Sequence, residues 1–135
     1  MFGKKQQAAI RTLIGEGTVI RGELHFSDGL RIDGQVIGDV VAIGGGRNIL
    51  VISEKAHVEG TVHAGHVIIN GSVTGPLTST ELLELQPKAV ISGDVKYERL
   101  EMHQGAEIDG ELRPLRGDAQ VDEKPPLKLA TSNQG

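Results

Sequence analysis

The sequence predicts an all-β fold, a parallel β-helix in which the chain coils about five to six times around one narrow apolar interior. Three observations lead to this fold class. A short glycine motif recurs six times, its apolar residues alternate with polar ones, and its Ala-headed copies are spaced at about one or two turns of such a coil. The prediction is a solenoid of triangular cross-section flanked by disordered tails.

The recurring motif is small-x-aliphatic-x-Gly-x-aliphatic. Its copies occupy residues 18–24, 30–36, 56–62, 67–73, 89–95 and 106–112. Within each copy the aliphatic residues fall on every second position, and a period of two is the period of a β-strand rather than of a helix. We therefore expect short strands, each with one buried face.

The predicted buried face collects one phase of this alternation. Its members are Ile20, Leu24, Phe26, Leu30, Ile32, Val36, Val40, Ala56, Val58, Val62, Val67, Ile69, Val73, Ala89, Ile91, Val95, Ala106, Ile108 and Leu112. The motif glycines have the same phase, and they are Gly22, Gly34, Gly60, Gly71, Gly93 and Gly110. Because glycine permits a tight corner, these positions predict the bends of the coil.

The spacing between copies predicts the number of sides. The Ala-headed copies begin at Ala56, Ala89 and Ala106. A three-sided coil with about five residues on each side uses roughly 17–18 residues a turn, so the second interval is about one turn and the first about two. A meander or sandwich is the alternative, because Asp-Gly and Asn-Gly pairs also form hairpin turns. Here those pairs lie inside apolar runs rather than between them, which favours the solenoid.

Composition excludes several classes of function. The net charge of −4 gives no strong electrostatic case for nucleic acid, and only Phe2, Phe26 and Tyr97 are aromatic, so base-stacking surfaces are scarce. The absence of cysteine excludes a disulfide framework. There is no run of about 20 apolar residues and no apolar core of a signal peptide, so we expect a cytoplasmic protein.

Four stretches together resemble the bactofilins, which are bacterial polymer-forming cytoskeletal proteins. They are "IGEGTVIRGELHFSDGLRIDGQVIGDV" (14–40), "AHVEGTV" (56–62), "VIINGSVTGPL" (67–77) and "LQPKAVISGDVKYERLEMHQGAEIDGEL" (85–112). The resemblance covers about residues 14–113 and departs at "VAIGGGRNILVISEK" (41–55). It implies a right-handed parallel β-helix that polymerises end to end without nucleotide. It also implies association with the inner membrane and a role as a scaffold for proteins of cell-wall synthesis or remodelling.

The chain divides into three parts on this interpretation. Residues 1–13 form a flexible N-terminal tail, residues 14–113 form the β-helix polymerisation domain, and residues 114–135 form a disordered C-terminal tail with three prolines and few apolar residues. Neither flank has the pattern of a long amphipathic helix that would cap the coil. An uncapped coil exposes unpaired backbone groups at both ends and is expected to stack on further copies of itself.

The predicted polymer interface consists of apolar residues in the first and last turns. They are Ile20, Leu24, Phe26, Leu100, Met102, Ile108 and Leu112. Phe26 is the only aromatic residue that the alternation places inside the coil. It is either an anchor of the interface or a filler of the core at that end.

The N-terminal tail predicts a membrane contact. Met1 and Phe2 form an apolar wedge beside the cations Lys4 and Lys5. Such a contact is marginal for one chain, but many weak anchors on one polymer add up to firm attachment. Members of the family that this chain resembles carry similar segments.

No catalytic, cofactor or metal site is predicted. Left-handed hexapeptide coils also repeat small and aliphatic residues, and they include acyltransferases and enzymes with zinc-binding histidines, but the motif glycines here step by 12, 26, 11, 22 and 17 rather than by six. The five histidines all have the outward phase, and they are His25, His57, His63, His66 and His103. The segment "IGGGRN" (43–48) lacks the lysine and hydroxyl residue of a phosphate-binding loop.

We therefore predict a structural protein that forms nucleotide-independent filaments at the inner face of the cytoplasmic membrane. Its partners would be further copies of itself, membrane lipids and cell-wall proteins. The alternatives are a left-handed acyltransferase or metal-dependent enzyme, and an adaptor that does not polymerise. Outward aliphatic residues are candidates for a lateral contact patch, and they are Val19, Ile37, Val41, Ile68 and Val90.

Overall fold

The computed structural model describes residues 9–116, and every regular element in that range is a β-strand. The strands are β1 (Ile10–Ile14), β2 (Val19–Arg21), β3 (Leu24–Phe26), β4 (Gly29–Ile32), β5 (Gln35–Ile37), β6 (Val40–Ala42), β7 (Ile49–Ile52), β8 (His57–Glu59), β9 (Val62–Ala64), β10 (His66–Ile69), β11 (Ser72–Thr74), β12 (Leu77–Leu85), β13 (Val90–Ser92), β14 (Val95–Met102), β15 (Glu107–Asp109) and β16 (Leu112–Pro114).

The strands stack into three faces, and all of their pairings are parallel. Face 1 contains β1, β4, β7, β10 and the second halves of β12 and β14. Face 2 contains β2, β5, β8, β11, β13 and β15. Face 3 contains β3, β6, β9, the first halves of β12 and β14, and β16. Each turn of the coil, here called a rung, contributes one strand to each face. This arrangement confirms the predicted β-solenoid, with six rungs.

The register shows how regular the coil is. One inward column on face 1 runs through Ile14, Ile32, Ile52, Ile69, Leu85 and Met102, which are nearly evenly spaced along the chain. The longest step, from Ile32 to Ile52, spans the glycine-rich turn at 43–48, which bulges from the corner between face 3 and face 1. The segment 41–55 thus keeps the rung geometry, because β7 pairs in register with both β4 and β10.

The coil begins earlier than the sequence predicted. β1 starts at Ile10 and pairs with β4, so residues 10–13 belong to the first rung and not to the N-terminal tail. The pairing register shifts between Ile10 and Thr12. Because this strand is irregular, its residues show no period-two alternation from which it could be predicted. At the other end β16 extends to Pro114, just beyond the predicted limit.

The interior is apolar, and every residue predicted to face inward is either buried or packed partly buried against the core. The prediction missed several further core residues, namely Ile14, Leu50, Ile52, Ala64, Leu77, Leu83 and Leu85. Ser79 is the one fully buried polar side chain in residues 9–116, and its hydroxyl donates to the carbonyl of Gly65 at 2.8 Å. This bond satisfies a polar group that would otherwise destabilise the core.

The six motif glycines were predicted to share one inward phase, but they lie at two different corners of the coil. Gly22, Gly60, Gly93 and Gly110 lie at the corner between faces 2 and 3, and Gly38 and Gly75 complete a glycine ladder there. A Cβ on Gly60 would meet the carbonyl oxygen of Gly38 at 2.3 Å, and its φ of 147° is one that side chains rarely allow. The other two motif glycines, Gly34 and Gly71, lie at the corner between faces 1 and 2, where a Cβ would meet carbonyl oxygens of the preceding rung.

Candidate assembly surfaces

The C-terminal end of the coil is an open cross-section. In residues 9–116, β15 pairs only with β13, β16 pairs only with β14, and the second half of β14 pairs only with β12. Their other edges therefore present backbone N–H and C=O groups without strand partners. Such an edge is a template for a further strand of another chain.

Apolar side chains of this end are partly exposed, whereas their register partners one rung further in are fully buried. Leu100 pairs with Leu83, Met102 with Leu85, Ile108 with Ile91 and Leu112 with Val95. The four inner partners are 0% exposed, and the four end residues are partly exposed and packed against the core. Within residues 9–116 no further rung covers these four side chains, so the end surface has the composition of an interior cut open.

The N-terminal end is also open, since β1, β2 and β3 pair on one side only within the part of the chain that the structure describes. Ile20 and Leu24 are partly exposed there. Ile14 and Phe26, however, are only 6% and 8% exposed. The end residues predicted from the sequence therefore belong to the first and last rungs, which are both open. Phe26 lies in the core of the first rung, beneath its end surface.

The position of Phe26 has a packing reason. Its register partner in the next rung is Ala42, whose small side chain leaves room for the aromatic ring to lie inward. Phe26 is not the only aromatic residue inside the coil, which corrects the prediction from the sequence. Tyr97 also packs against the core, at the same column near the opposite end, and burial raises the pKa of its hydroxyl.

Polar side chains at the corners join successive rungs. The Oδ1 atom of Asp39 accepts the backbone N–H of Thr61 at 2.9 Å, Asp94 accepts that of Glu111 at 3.0 Å, and Asn70 accepts that of Lys88 at 2.9 Å. These contacts satisfy backbone donors that have left the strand ladder, so they fix the spacing of the rungs.

The carboxylate of Asp33 makes a similar link between rungs 2 and 3. It accepts hydrogen bonds from Arg31 at 2.9 Å and from the hydroxyl of Ser53 at 2.5 Å. The Arg31 guanidinium first, and then the Ser53 hydroxyl, lower the pKa of this carboxyl below its usual range. Asp33 is thus held as a carboxylate in the folded chain.

The histidines point outward, as predicted, but they lie on different faces. His57 belongs to face 2, His25 and His63 to face 3, and His66 to face 1. His103, at the end of face 1, lies near Glu84 and Glu101, and one ligand atom from each lies within 4.8 Å of the others. The Nε2 atom of His103 is 3.3 Å from Glu101 and 3.8 Å from Glu84. Sequence reasoning missed this surface cluster because its members come from two rungs.

The predicted lateral patch of outward aliphatic residues does not form. Val19, Ile37 and Val90 lie on face 2, Val41 lies on face 3 and Ile68 lies on face 1. On face 2, Gln35, His57 and Ser72 separate Val19 from Val90 in the same column.

Face 1 instead carries an apolar surface that the sequence did not reveal. Ile68 has outward-facing aliphatic neighbours on the rungs on both sides, namely Ile49, Val51 and Leu82. All four are intermediate in exposure, while the residues between them along the strands are buried. His66 lies among them, and its Nε2 atom is buried without a hydrogen-bond partner among the described residues. We call this surface the face 1 patch.

This chain, a coil with two open ends, can be compared with known protein families. A family model of bactofilins, described as polymer-forming cytoskeletal, matches residues 12–113. The chain belongs to the bactofilin family. This confirms the resemblance read from residues 14–113. Membership of the bactofilins makes the chain a polymer-forming cytoskeletal protein and supports a structural rather than a catalytic role.

Two curated bactofilins of Myxococcus xanthus (strain DK1622) are similar to this chain. Bactofilin BacO is 28% identical over 111 residues, which cover 82% of this chain and 85% of BacO. Bactofilin BacP is 26% identical over 101 residues, which cover 75% of this chain and 40% of BacP. No solved structure matches the chain significantly.

The membrane-contact residues predicted from the sequence, Met1, Phe2, Lys4 and Lys5, lie outside the described residues. Within residues 9–116, no helix is long and apolar enough to cross a membrane.

Proposed function

We propose that this bactofilin assembles end to end into filaments without nucleotide, with each open end rung continuing the coil of a neighbouring copy. The interface consists of Ile20 and Leu24, with Phe26 beneath them, at one end, and Leu100, Met102, Ile108 and Leu112 at the other. The observation that carries this proposal is the contrast between the partly exposed residues of the last rung and their fully buried register partners one rung further in.

Stacking supplies what both ends lack. A further rung would pair the free strand edges and cover the open apolar cross-section, as each inner rung does for its neighbour. Burying apolar surface stabilises by about 25 cal/mol per Å², and each backbone hydrogen bond adds a smaller net amount. Both contributions repeat at every junction of a filament, and neither needs a bound nucleotide.

The proposal extends to the location and partners of the filament. Met1 and Phe2 insert into the headgroup region of the inner face of the cytoplasmic membrane, and Lys4 and Lys5 contact anionic lipids. One such tail binds weakly, but a filament presents one tail per subunit, so the attachment becomes firm through multivalency. A filament fixed in this way is a scaffold on which cell-wall synthesis or remodelling proteins are arranged. This part is supported by the composition of the tail and by the family.

The first test is negative-stain electron microscopy of the purified full-length chain without nucleotide or metal. We expect long filaments from the natural chain and short or no filaments from Leu112→Arg, because a charged side chain in the end surface cannot be desolvated without a large cost. Thr74→Arg is the matched control, since Thr74 is exposed on face 2 of an inner rung and should leave filaments intact. Circular dichroism checks that both variants keep their strands. Uniform small particles from the natural chain would contradict the proposal.

Membrane contact is tested separately by flotation with vesicles that contain anionic lipid. The natural filaments should float with the vesicles, and Phe2→Ser filaments should float less while retaining their length. If removal of the Phe2 side chain leaves flotation unchanged, the tail is not the membrane anchor, although end-to-end assembly would be unaffected.

A further inference from the structure

We propose that the face 1 patch joins two copies of this chain side by side in antiparallel orientation, so that filaments occur as lateral pairs. This inference rests on the proposed filament assembly, because a single pair of chains offers too small a contact to be stable. The second copy is the occupant that the charges of face 1 favour.

The centre of face 1 is apolar. Rung 3 presents Ile49 and Val51 outward, rung 4 presents His66 and Ile68, and rung 5 presents Leu82. At the same rungs, face 2 presents His57, Glu59, Ser72, Thr74, Val90 and Ser92. The aliphatic side chains of face 1 lie in adjacent rungs and adjacent columns, so they form one continuous surface rather than scattered single residues.

One column of face 1 carries opposite charges at its two ends, while the neighbouring column presents Arg99 in rung 6, and Arg31 is also ion-paired with Asp33 at 2.9 Å. In the column of Val51 and Ile68, rung 2 presents Arg31, whereas rungs 5 and 6 present Glu84 and Glu101. A two-fold axis along the strand direction, between rungs 3 and 4, brings rung 2 of one copy opposite rung 5 of the other. Arg31 then faces Glu84 of the partner subunit twice, and Val51 faces Ile68 of the partner subunit twice. A two-fold contact of this kind is self-complementary and closed.

Parallel pairing is less favourable. It would exchange the two columns and place Glu84 opposite Leu82 of the partner subunit twice, so that a carboxylate would lose water against an aliphatic side chain, although it would also bring Glu101 opposite Arg99 of the partner subunit. Antiparallel pairing has a weaker match at its outermost rungs, where Leu13 faces Glu101 of the partner subunit, and Arg11 lies beside Ile10, which faces Arg99 of the partner subunit. Arg11 is ion-paired with Asp28 at 3.1 Å, which offsets part of the repulsion from Arg99 of the partner subunit.

The size of the face explains why pairing depends on filaments. Six strands about 4.8 Å apart and four residues of about 3.3 Å each give a footprint of about 380 Å². A stable complex buries about 800 Å² on each partner. One pair of chains is therefore weakly bound, but two filaments repeat the contact at every subunit, and the contacts then act together.

The chain has no cysteine, so introduced cysteines report the contact directly. Full-length Val51→Cys and Ile68→Cys proteins, each with a different tag, are assembled together and treated with a bis-maleimide that spans about 10 Å, the separation of sheets that pack face to face. We expect the mixed cross-link to exceed that of the control pair by about tenfold, because the antiparallel contact places Val51 directly opposite Ile68 of the partner subunit. The control pair is Glu59→Cys with Thr74→Cys, which occupies the same two rungs in register on face 2 and should not cross-link above background.

A charge reversal gives a second, independent measurement. Arg31→Glu and Glu84→Arg should each convert paired filaments into single ones by electron microscopy, and the doubly changed chain should restore pairs, because the two residues face each other across the two-fold axis. Arg99→Glu should strengthen pairing. None of these residues lies among the proposed end-surface contacts, so filament length reports end-to-end assembly separately.

The outcomes distinguish a failure of end-to-end assembly from a failure of lateral pairing. If the natural chain forms no filaments, the proposed end-to-end function fails. If it forms filaments without a Val51–Ile68 cross-link above that of the control pair, and the charge reversals change nothing, then lateral pairing through face 1 is wrong while the end-to-end function stands. Preferential cross-linking of Val51→Cys with Ile49→Cys would show a parallel contact and would overturn the antiparallel arrangement.

Discussion

The first and last rungs of the coil are both open, but they differ in what they leave uncovered. The last rung has four partly exposed apolar residues whose inner register partners are completely buried. In the first rung, Ile14 and Phe26 are almost fully buried, Ile20 and Leu24 are partly open, and Thr12, which pairs with the inward Leu30, is exposed. Phe26 achieves this by lying over the small Ala42, whereas Leu112 in the last rung lies over Val95.

This difference teaches that an end of a solenoid is not defined only by missing strand partners. At Phe26 the small Ala42 in the rung beneath lets the end side chain lie inward, whereas Ile14 is buried over the larger Ile32. The two ends are therefore distinct surfaces, and a substitution at one end has no automatic equivalent at the other.

Substitutions in the glycine ladder should give the largest difference in stability between an inner rung and the first rung. A Cβ on Gly93 would lie 2.4 Å from the carbonyl oxygen of Gly75, and φ at this residue is 147°. Gly93→Ala should therefore lower the free energy of unfolding by at least about 3 kcal/mol, through steric clash and backbone strain. Gly22 has φ of 129°, but no described atom lies within 4 Å of its Cβ position, because each ladder glycine faces the preceding rung. Gly22→Ala should cost only the strain, about 1–2 kcal/mol.

Chemical denaturation of both variants measures this difference. Among molecules that fold, Gly22→Ala should impair filament assembly more than Gly93→Ala does. The reason is that a methyl group on Gly22 points out of the first rung toward a stacked neighbour. If Gly22→Ala and Gly93→Ala were equally destabilising, the ladder would not be a contact between rungs. Gly45→Ala is a control, because Gly45 lies in the exposed turn with open space around it.

Matched truncations in one column compare an inner rung with the last rung. Ile91 is 0% exposed, and its register partner Ile108 is partly exposed. Ile91→Ala should destabilise the fold by about 3 kcal/mol, because it leaves a cavity in a closed interior, and Ile108→Ala by about 1 kcal/mol. Assembly should respond in the other order, with a higher critical concentration for Ile108→Ala in a sedimentation assay. Equal effects on stability would mean that the last rung is covered by another part of the chain.

The sequence predicted this architecture where the outward residues are polar. Val58 lies between His57 and Glu59, and Ile108 lies between Glu107 and Asp109, so the inward phase is evident. In β7, "ILVI", all four residues are aliphatic, and the alternation disappears because the outward residues belong to the face 1 patch. For the same reason Leu50 and Ile52 could not be assigned to the core from the sequence.

The open ends could be predicted from position in the chain, but the lateral surface could not. Ile49, Val51, Ile68 and Leu82 are far apart in the sequence, and only the register of β7, β10 and β12 brings them together. The glycine motif also did not predict which corner of the coil each glycine occupies. Gly34 and Gly60 occupy the same motif position but different corners, because both corners exclude a side chain for steric reasons that the motif alone does not distinguish.

The smallest predicted effect concerns Asp33, whose contacts join the second rung to the third. The pKa of this carboxyl is lower in the folded chain than in the unfolded chain, where it is about 3.9, so its contribution to stability is fully present above that pH and is lost as the pH falls through the lower folded value. Asp33→Asn should lower the free energy of unfolding by about 1 kcal/mol at pH 6 and by less at about pH 3, where part of the contribution of the carboxylate has been lost. Ser53→Ala, which removes one of the two hydrogen bonds, should show a smaller difference between the two pH values. Urea unfolding at both pH values measures these losses of unfolding free energy. If the loss in Asp33→Asn were the same at both pH values, the side chain would act through packing and not through its charge.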